Sequence, residues 1–268
     1  MSSAQGGGSP RSESASVAID WTIHAFERVS STNEIARRLA GEGAPEGTVV
    51  VAAEQTGGYG RRGTLWLSPR GGLWFSAILR PGAPAERAGL LCLAGAVAVV
   101  QAVRGLTGIP ARIKWPNDVY VKGGKLGGVM IESVGSEALV LGAGLNVNMG
   151  AGALSEIKPS RAGTIMRETG RELDLLRLLD TILGEFGMRY LYWKRGGGDE
   201  LVEEWRDLSL LVGEQVFVKQ GDREPVEGSV FSLEDDGSIV IRLADGRQEV
   251  FPATGDVTLR LAGSGEEA

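Results

Sequence analysis

The chain has 268 residues, enough for one large folded domain and a smaller one, and its 43% hydrophobic and 23% charged content is typical of a globular protein. The net charge of -6 argues against general nucleic-acid binding, and no apolar stretch reaches the length of a membrane span, so we expect neither nucleic acid nor membrane as a partner. The single cysteine, Cys92, excludes an intrachain disulfide and a cysteine-based zinc site, which favours a reducing cytoplasm.

The first predicted elements follow a tail. Residues 1–16 are rich in glycine and serine and predict a disordered segment that lacks the apolar core of a secretory signal. A strand is predicted over 18–29. A helix is predicted over 30–43, where Ser31 and Glu34 have the spacing of a capping box.

The next part of the chain contains two strands, a loop and a helix. Buried strands are predicted over 47–55 and over 72–81. The residues between them, 57–71, form a glycine-rich, cationic segment that we call the glycine-arginine loop. A buried helix is predicted from 84 to 104, opened by a proline and closed by Gly105.

Strands and helices alternate less regularly after that point. Residues 111–134 predict a strand, a turn, a short strand, a glycine turn and a further strand, and 137–149 predict another strand. Residues 151–172 are expected to be mostly loop. A long amphipathic helix is predicted over 174–193, and a shorter helix holds Trp205.

From about Leu211 the chain changes to short alternating strands separated by glycine- and aspartate-containing turns, the pattern of a small antiparallel β-barrel of SH3-like size. The predicted fold class is therefore α+β, with a mixed, mostly antiparallel sheet covered by helices and a small C-terminal SH3-like barrel. The predicted divisions are a disordered tail over 1–16, a catalytic domain over 17–210, a barrel domain over 211–262 and a second disordered tail over 263–268.

Residues 58–63 match the pattern G-x-G-x-x-G after a strand. A dinucleotide site needs a helix directly after that pattern, and the proline and glycines of 68–72 prevent one. Two interpretations remain open for the loop. It is either a flexible segment whose Arg61 and Arg62 fold over an anionic ligand, or a solvated surface hairpin.

Three further motifs carry candidate chemistry, although each alone also fits an ordinary turn or strand end. Residues 114–119 (KWPNDV) hold a stiff polar turn, residues 123–128 (GGKLGG) place Lys125 between glycine pairs, and residues 142–148 (GAGLNVN) end a strand of small residues. The single histidine, His24, rules out a Ser-His-Asp or Cys-His set. A reaction that needs no protein nucleophile is therefore preferred.

The order and combination of these motifs closely resemble the biotin–protein ligase family over about residues 17–261. The matching segments are SSTNE, the glycine-arginine loop, KWPND with the lysine loop after it, and LGAGLNVN, and the β module begins and ends like the family's C-terminal domain. The resemblance implies a catalytic domain of the class II aminoacyl-tRNA synthetase/biotin ligase type. It also implies the ligase-only kind, without an N-terminal DNA-binding domain.

The activity that this resemblance implies is a ligation in two steps. Biotin and MgATP would form biotinyl-5′-AMP, and biotin would then pass to a lysine of the biotin carboxyl carrier protein domain of a carboxylase. ATP, Mg²⁺ and biotin are thus the expected small molecules. Because family members can dimerise through edge strands, a homodimer is left open.

Position by position, the resemblance also implies site residues. Those implied to bind biotin are Ser31, Thr32, Asn33, Gln55, Gly58, Tyr59, Gly60, Arg61, Lys125, Gly142 and Gly144. Those implied to lie near the nucleotide are Arg61, Gly63, Asn117, Asp118 and Asn146, with Asp118 as a Mg²⁺ contact. Lys125 and Arg61 are the implied catalytic residues, since they would offset the repulsion between the biotin carboxylate and the α-phosphate.

Two positions depart from the usual G-R-G-R-x-G-R loop of the family. Tyr59 replaces the first arginine and Thr64 the last, and fewer cationic contacts would weaken retention of the adenylate. Residues 151–172 also contain no tryptophan to stack on adenine, as some members have. The alternatives are a lipoate or octanoate ligase or transferase of related fold, and a catalytically weak biotin-binding module. DNA-binding regulation is disfavoured.

Overall fold

The computed structural model describes residues 18–82, 88–122, 124–150, 162–253 and 256–262, so the predicted tails, 1–16 and 263–268, lie outside the described residues. The strands are β1 (Thr22–Phe26), β2 (Thr48–Ala52), β3 (Leu73–Leu79), β4 (Arg112–Lys114), β5 (Asp118–Val121), β6 (Gly124–Val134), β7 (Ala138–Leu145), β8 (Gln215–Gln220), β9 (Val226–Leu233), β10 (Ile239–Arg242), β11 (Gln248–Phe251) and β12 (Val257–Leu261). The helices are α1 (Thr32–Gly41), α2 (Ala88–Thr107), α3 (Ile165–Thr169), α4 (Leu175–Lys194) and α5 (Asp199–Leu208).

Seven strands form the first sheet, in the order β1-β2-β3-β7-β6-β5-β4. Strands β1 and β2 pair in parallel, and every other neighbouring pair in this sheet is antiparallel. The predicted α+β class with a mixed, mostly antiparallel sheet is therefore confirmed.

Side-chain alternation along the central strands gives this sheet two distinct faces. Phe75 on β3 and Leu141 on β7 belong to the large core that includes α2. Their neighbours Ile78 and Val140 point the other way and pack with Ala36 of α1. Helix α1 thus covers one face of the sheet, while α2 lies on the other.

Helix α2 is longer at its C-terminus than predicted. It continues through Gly105 to Thr107 and ends where Gly108, with φ 72°, donates its N–H to Arg104 O. The segment Gly89–Thr107 is long and apolar enough to cross a membrane, which corrects the expectation that no stretch reaches that length. Because 61% of this segment is buried inside the protein, it has the setting of a core helix.

The N-termini of α1 and α4 differ in whether the predicted capping contact forms. Asp174 caps α4 by accepting from the N–H groups of Leu176 and Arg177, as its position at the start of the predicted helix suggests. The predicted capping box at α1 is wrong. Ser31 occupies the N-cap position without a side-chain cap bond, because it is buried beside the pocket, and Glu34 accepts from Ser30 Oγ instead.

The C-terminal strands form a second, wholly antiparallel sheet in the order β11-β10-β9-β8-β12. The predicted barrel closure is not confirmed, since β11 and β12 are edges of this sheet in the part of the chain that the structure describes. Trp115 Nε1 donates to Gly237 O at 2.8 Å, and one continuous core includes residues from both sheets. The division at 210/211 therefore stays a prediction.

Candidate active site

A cavity of about 290 Å³ opens on the α1 face of the first sheet. The glycine-arginine loop forms one side of it, and the turn of residues 114–118 forms another. The lining residues are Ser31, Thr32, Asn33, Gln55, Tyr59, Gly60, Arg61, Arg62, Thr64, Trp66, Phe75, Lys114, Trp115, Pro116, Asn117, Asp118, Lys125, Gly128, Val129, Met130, Gly142, Ala143, Gly144, Val257, Thr258 and Leu259. Its size suits a small ligand that is largely enclosed.

Two glycines of β7 lie at the floor of this cavity, with other side chains packed closely over them. Gly142 and Gly144 share the α1 face of β7 with Val140, because side chains alternate along a strand. A Cβ on Gly142 would collide with Asn33 Oδ1, and a Cβ on Gly144 would lie 2.8 Å from Trp66 Nε1. Both positions therefore require glycine for close packing.

One wall of the cavity is a fixed set of neutral polar groups. The N–H and the hydroxyl of Thr32 both donate to Gln55 Oε1, at 2.7 and 3.0 Å. Gln55 Nε2 in turn donates to Ser68 Oγ at 2.9 Å, which fixes the orientation of the amide. The structure thus brings Ser31, Thr32 and Gln55 together as the resemblance implied.

Asn33 is held by two residues that the sequence did not single out. Its Oδ1 accepts from Ser76 Oγ at 2.5 Å, and its Nδ2 donates to Glu132 Oε2 at 2.7 Å. Tyr59 OH donates to the same carboxylate oxygen at 2.9 Å. Burial, reinforced by the hydrogen bond to Glu132, raises the pKa of the Tyr59 phenol. The signal for Ser76 was its place as a polar residue inside an otherwise apolar strand.

Charged groups gather at the opposite side. Lys125 Nζ lies 2.7 Å from Asp118 Oδ2, and Arg61 Nη1 donates to Asn117 Oδ1 at 3.2 Å. The four residues come from the glycine-arginine loop, the turn after β4, and strands β5 and β6. Their proximity is what the resemblance implied for the two catalytic cations and the nucleotide contacts.

Trp66 is a pocket residue that sequence reasoning missed, because a tryptophan that stacks on adenine was expected only within 151–172. It lies on the glycine-arginine loop, and Lys125 Nζ is 5.2 Å from the centre of its ring. Its Nε1 is buried and has no hydrogen-bond partner among the described residues. Within residues 151–172, residues 151–161 lie outside the described residues.

Three implied site residues do not line the cavity. A Cβ on Gly58 would meet Ser68 Oγ at 2.5 Å, so this glycine allows the first half of the loop to pack against the second half. Gly63 adopts φ 70° in a turn. Asn146 is buried at the end of β7, where its N–H donates to Leu126 O at 2.8 Å. Their roles toward a ligand remain predictions.

The C-terminal sheet reaches the cavity, although the sequence suggested a separate module. Val257, Thr258 and Leu259 of β12 contribute to its lining. Arg62 Nη1 also lies 2.8 Å from Asp256 Oδ1 and so connects the glycine-arginine loop to this sheet. The site is thus built from both predicted domains.

A divalent cation would have to share the site with phosphate oxygens. Among the described residues no group of three or more histidine, cysteine, aspartate or glutamate side chains could hold a metal by itself. Mg²⁺ in nucleotide sites commonly uses one or two carboxylates together with phosphates. Asp118 offers such a carboxylate at the cavity, so the donor set fits a magnesium held jointly with a nucleotide.

The sequence matches the family model described as the Biotin/lipoate A/B protein ligase family over residues 25–148. The biotin--[acetyl-CoA-carboxylase] ligase of Paracoccus denitrificans is 33% identical over 234 residues, which cover 84% of this chain and 96% of that protein. The bifunctional ligase/repressor BirA of Bacillus subtilis (strain 168) is 32% identical over 230 residues, which cover 84% of this chain and 70% of that protein.

A solved structure gives the same result for the fold. Biotin protein ligase from Aquifex aeolicus, in complex with biotin and ATP, superposes with a TM-score of 0.77 at 31% identity. The match covers 89% of this chain and 98% of the Aquifex chain. Because the Paracoccus relative is 33% identical and almost its whole length is matched, the chain belongs to the biotin–protein ligases of the biotin/lipoate A/B protein ligase family.

Proposed function

We propose that this chain forms biotinyl-5′-AMP from biotin and MgATP, and then transfers biotin to a lysine of the biotin carboxyl carrier protein domain of a carboxylase. One observation carries the proposal. A single cavity joins a neutral polar wall at Thr32 and Gln55 to a cationic side at Arg61 and Lys125. Biotin has the matching halves, a neutral ureido ring and a carboxylate tail.

The neutral wall would recognise the ureido group. Hydroxyl and amide groups can both donate to the ureido oxygen and accept from its N–H groups. Gly142 and Gly144 would let Asn33 and Trp66 lie close to the strand, which leaves room in the cavity for the flat bicyclic ring. Ligand contacts of Ser31 and Asn33 belong to the same proposal.

The cationic side would solve the electrostatic problem of the first step. A carboxylate oxygen must attack the α-phosphorus of ATP, and two unit anions about 4 Å apart repel by roughly 1 kcal/mol in water but roughly 4 kcal/mol at an effective dielectric of 20. Lys125 and Arg61 would offset that repulsion where it is strongest. Asp118 would help to hold Mg²⁺, which would supply further positive charge when bound.

The enclosing groups would protect the reaction and its intermediate. The glycine-arginine loop would exclude water from the mixed anhydride, which is prone to hydrolysis. Trp66 offers an aromatic face inside the cavity against which adenine would pack. In the second step the acceptor amine attacks the acyl carbon, a C–N bond forms, the anhydride C–O bond breaks and AMP leaves with its electron pair. Positioning and charge thus suffice without a protein nucleophile.

Finer features belong to the proposal as well. They are an SH3-like class for the C-terminal sheet, a domain boundary near 210/211, a cytoplasmic location and the absence of a nucleic-acid partner. A homodimer stays open. Support for the location comes from the cysteine usage, since the one cysteine allows no intrachain disulfide.

Pyrophosphate–ATP exchange with Mg²⁺ tests the proposal, run separately with biotin, lipoate and octanoate. Exchange with biotin alone, followed by labelling of a carrier-domain lysine, is the expected result. Exchange with another acid would move the assignment to that acyl group. Biotin binding without any exchange would favour a binding module, for which Tyr59 and Thr64, at positions where the family usually has arginines, are the motivation.

A further inference from the structure

Glu132 lies on β6 beside the cavity, yet the family resemblance gave it no role. Its Oε2 accepts from Asn33 Nδ2 at 2.7 Å and from Tyr59 OH at 2.9 Å. Its Oε1 lies 3.6 Å from Arg37 Nη1. One half-buried carboxylate therefore joins helix α1, strand β6 and the glycine-arginine loop.

The first consequence concerns the direction of the Asn33 amide. A carboxylate only accepts hydrogen bonds, so Asn33 must turn its NH₂ group toward Glu132 and its oxygen toward Ser76 Oγ, 2.5 Å away. Asn33 is 5% exposed and Ser76 is fully buried, so water cannot take the place of either partner. The amide therefore meets a ligand in one fixed orientation.

The second consequence concerns the loop. Around Tyr59 the chain makes a tight return, in which Gly60 N–H donates to Thr64 O at 2.8 Å and Trp66 N–H donates to Gly58 O at 2.9 Å. The phenol of Tyr59 connects this return to the sheet through Glu132. Tyr59 stands where the family usually has an arginine, so the loop here is anchored by a neutral donor.

We propose that Glu132 is a positioning residue of this site, which orients Asn33 toward biotin and holds the glycine-arginine loop closed through Tyr59. The part that concerns biotin rests on the proposed function. The part that concerns the loop rests only on the contacts of the ligand-free protein. The two parts are therefore tested by different measurements.

Hydrogen–deuterium exchange of the ligand-free protein tests the loop. The variants are Glu132→Gln, Tyr59→Phe and both together. The matched control is Tyr190→Phe, which removes the phenol that donates to Glu46 on another part of the fold. Loss of one charge-assisted hydrogen bond should speed exchange across 57–68 about tenfold in Glu132→Gln and in Tyr59→Phe.

In the double variant the loop should exchange no faster than in Tyr59→Phe, because loss of the phenol removes the contact entirely, whereas Glu132→Gln keeps an acceptor oxygen and removes only its charge. Tyr190→Phe should leave loop exchange as in the wild type. Loop exchange that is unchanged in both Tyr59→Phe and Glu132→Gln would overturn the anchor. This result does not depend on any ligand or activity.

Calorimetric binding of biotin and the two KM values test the orientation of Asn33. Glu132→Gln should raise the biotin Kd and KM about tenfold while the KM for ATP stays within about twofold, a split that general loosening of the fold would not produce. Wild-type biotin affinity in Glu132→Gln would overturn this part. A wild type that binds no biotin would overturn it together with the proposed function, and loop exchange would still decide the anchor.

Discussion

The ion pair between Lys125 and Asp118 places the cation that we propose acts in adenylation beside an anionic partner. Lys125 Nζ is 2.7 Å from Asp118 Oδ2, and both side chains are about three-quarters buried. Arrival of a phosphate would thus exchange one anionic partner of the lysine for another. The lysine needs no large movement to take part, which is the value of a preorganised donor.

Lys125→Ala should lower the rate of biotin-dependent pyrophosphate exchange by about 10²–10³, the usual effect of removing one preorganised donor. Lys122→Ala is the matched control. That lysine lies three residues earlier, pairs with Glu168 at 3.0 Å and is 65% exposed, so its loss should leave the rate unchanged. A loss below about fivefold in Lys125→Ala would contradict the assigned role.

Gly142→Ala should weaken biotin binding and lower stability by about 1–3 kcal/mol, because the new methyl group would collide with Asn33 Oδ1 and displace it. Gly184→Ala in α4 is the control, since a Cβ there meets nothing within 4 Å. Urea unfolding and calorimetric biotin titration measure the two effects. An unchanged biotin Kd in Gly142→Ala would show that Gly142 is not part of the biotin site.

At the scale of elements, the strands and long helices could be predicted because their signals are local. Strand β3 was visible as an apolar run, and α4 as an amphipathic repeat with Asp174 at its start. The capping box at α1 failed because burial of Ser31 in a tertiary site outweighed a local motif. The end of α2 was missed because one glycine, Gly105, is tolerated inside a well-packed helix.

Site residues that belong to a sequence motif could be predicted. Site residues that reach the cavity only through tertiary contacts were missed. Thr32, Gln55 and Lys125 came from recognisable segments, and the structure brings them to one cavity. Glu132 and Ser76 reach Asn33 only through strand pairing and face alternation, and the one sequence signal was the polar Ser76 inside an apolar strand, which does not name its partner. Pairing of strands fixes such contacts over long sequence separations.

Helix α2 also carries an ionisable group with a consequence for stability. Burial raises the pKa of the Cys92 thiol to about 12. In the unfolded chain the thiol would ionise above about pH 9, so between pH 9 and 12 the unfolded state binds fewer protons than the folded state. The free energy of unfolding must then fall as pH rises in that window, by up to about 1.4 kcal/mol per pH unit.

Urea unfolding of the wild type and of Cys92→Ala at pH 8 and pH 10.5 checks this expectation. The wild type should lose about 1–2 kcal/mol more than the variant between the two pH values, since the tyrosines contribute equally to both. At pH 8 the thiol is neutral in both states and adds no pH dependence. Equal losses would mean that the thiol is exposed to solvent in the folded protein.

At the scale of the whole molecule, the two sheets share one core, and both contribute residues to the cavity. Trp115 Nε1 donates to Gly237 O at 2.8 Å, and β12 contributes to the cavity lining. The continuous core predicts a single cooperative thermal transition in spite of the two predicted domains. The site is therefore complete only when both sheets are folded.

Trp115→Phe should keep that transition single and lower its midpoint by at least about 2–4 °C, because one hydrogen bond worth about 1 kcal/mol is lost and the smaller ring leaves part of a buried site unfilled. Differential scanning calorimetry measures both features. Phe217→Leu on an exposed face of β8 is the control and should leave the midpoint close to that of the wild type. Two resolved transitions in the wild type would show that the sheets unfold independently.

The two glycines at the floor of the cavity, Gly142 and Gly144, have a consequence for inhibitors of this enzyme class. An inhibitor that binds beside Gly142 and Gly144 packs against a part of the strand where substitution is restricted by Asn33 and Trp66. Any larger residue at either position would collide with Asn33 or approach Trp66 too closely. Resistance would then have to arise elsewhere in the pocket, such as in the glycine-arginine loop, whose proposed role in holding the adenylate would restrict the changes available there.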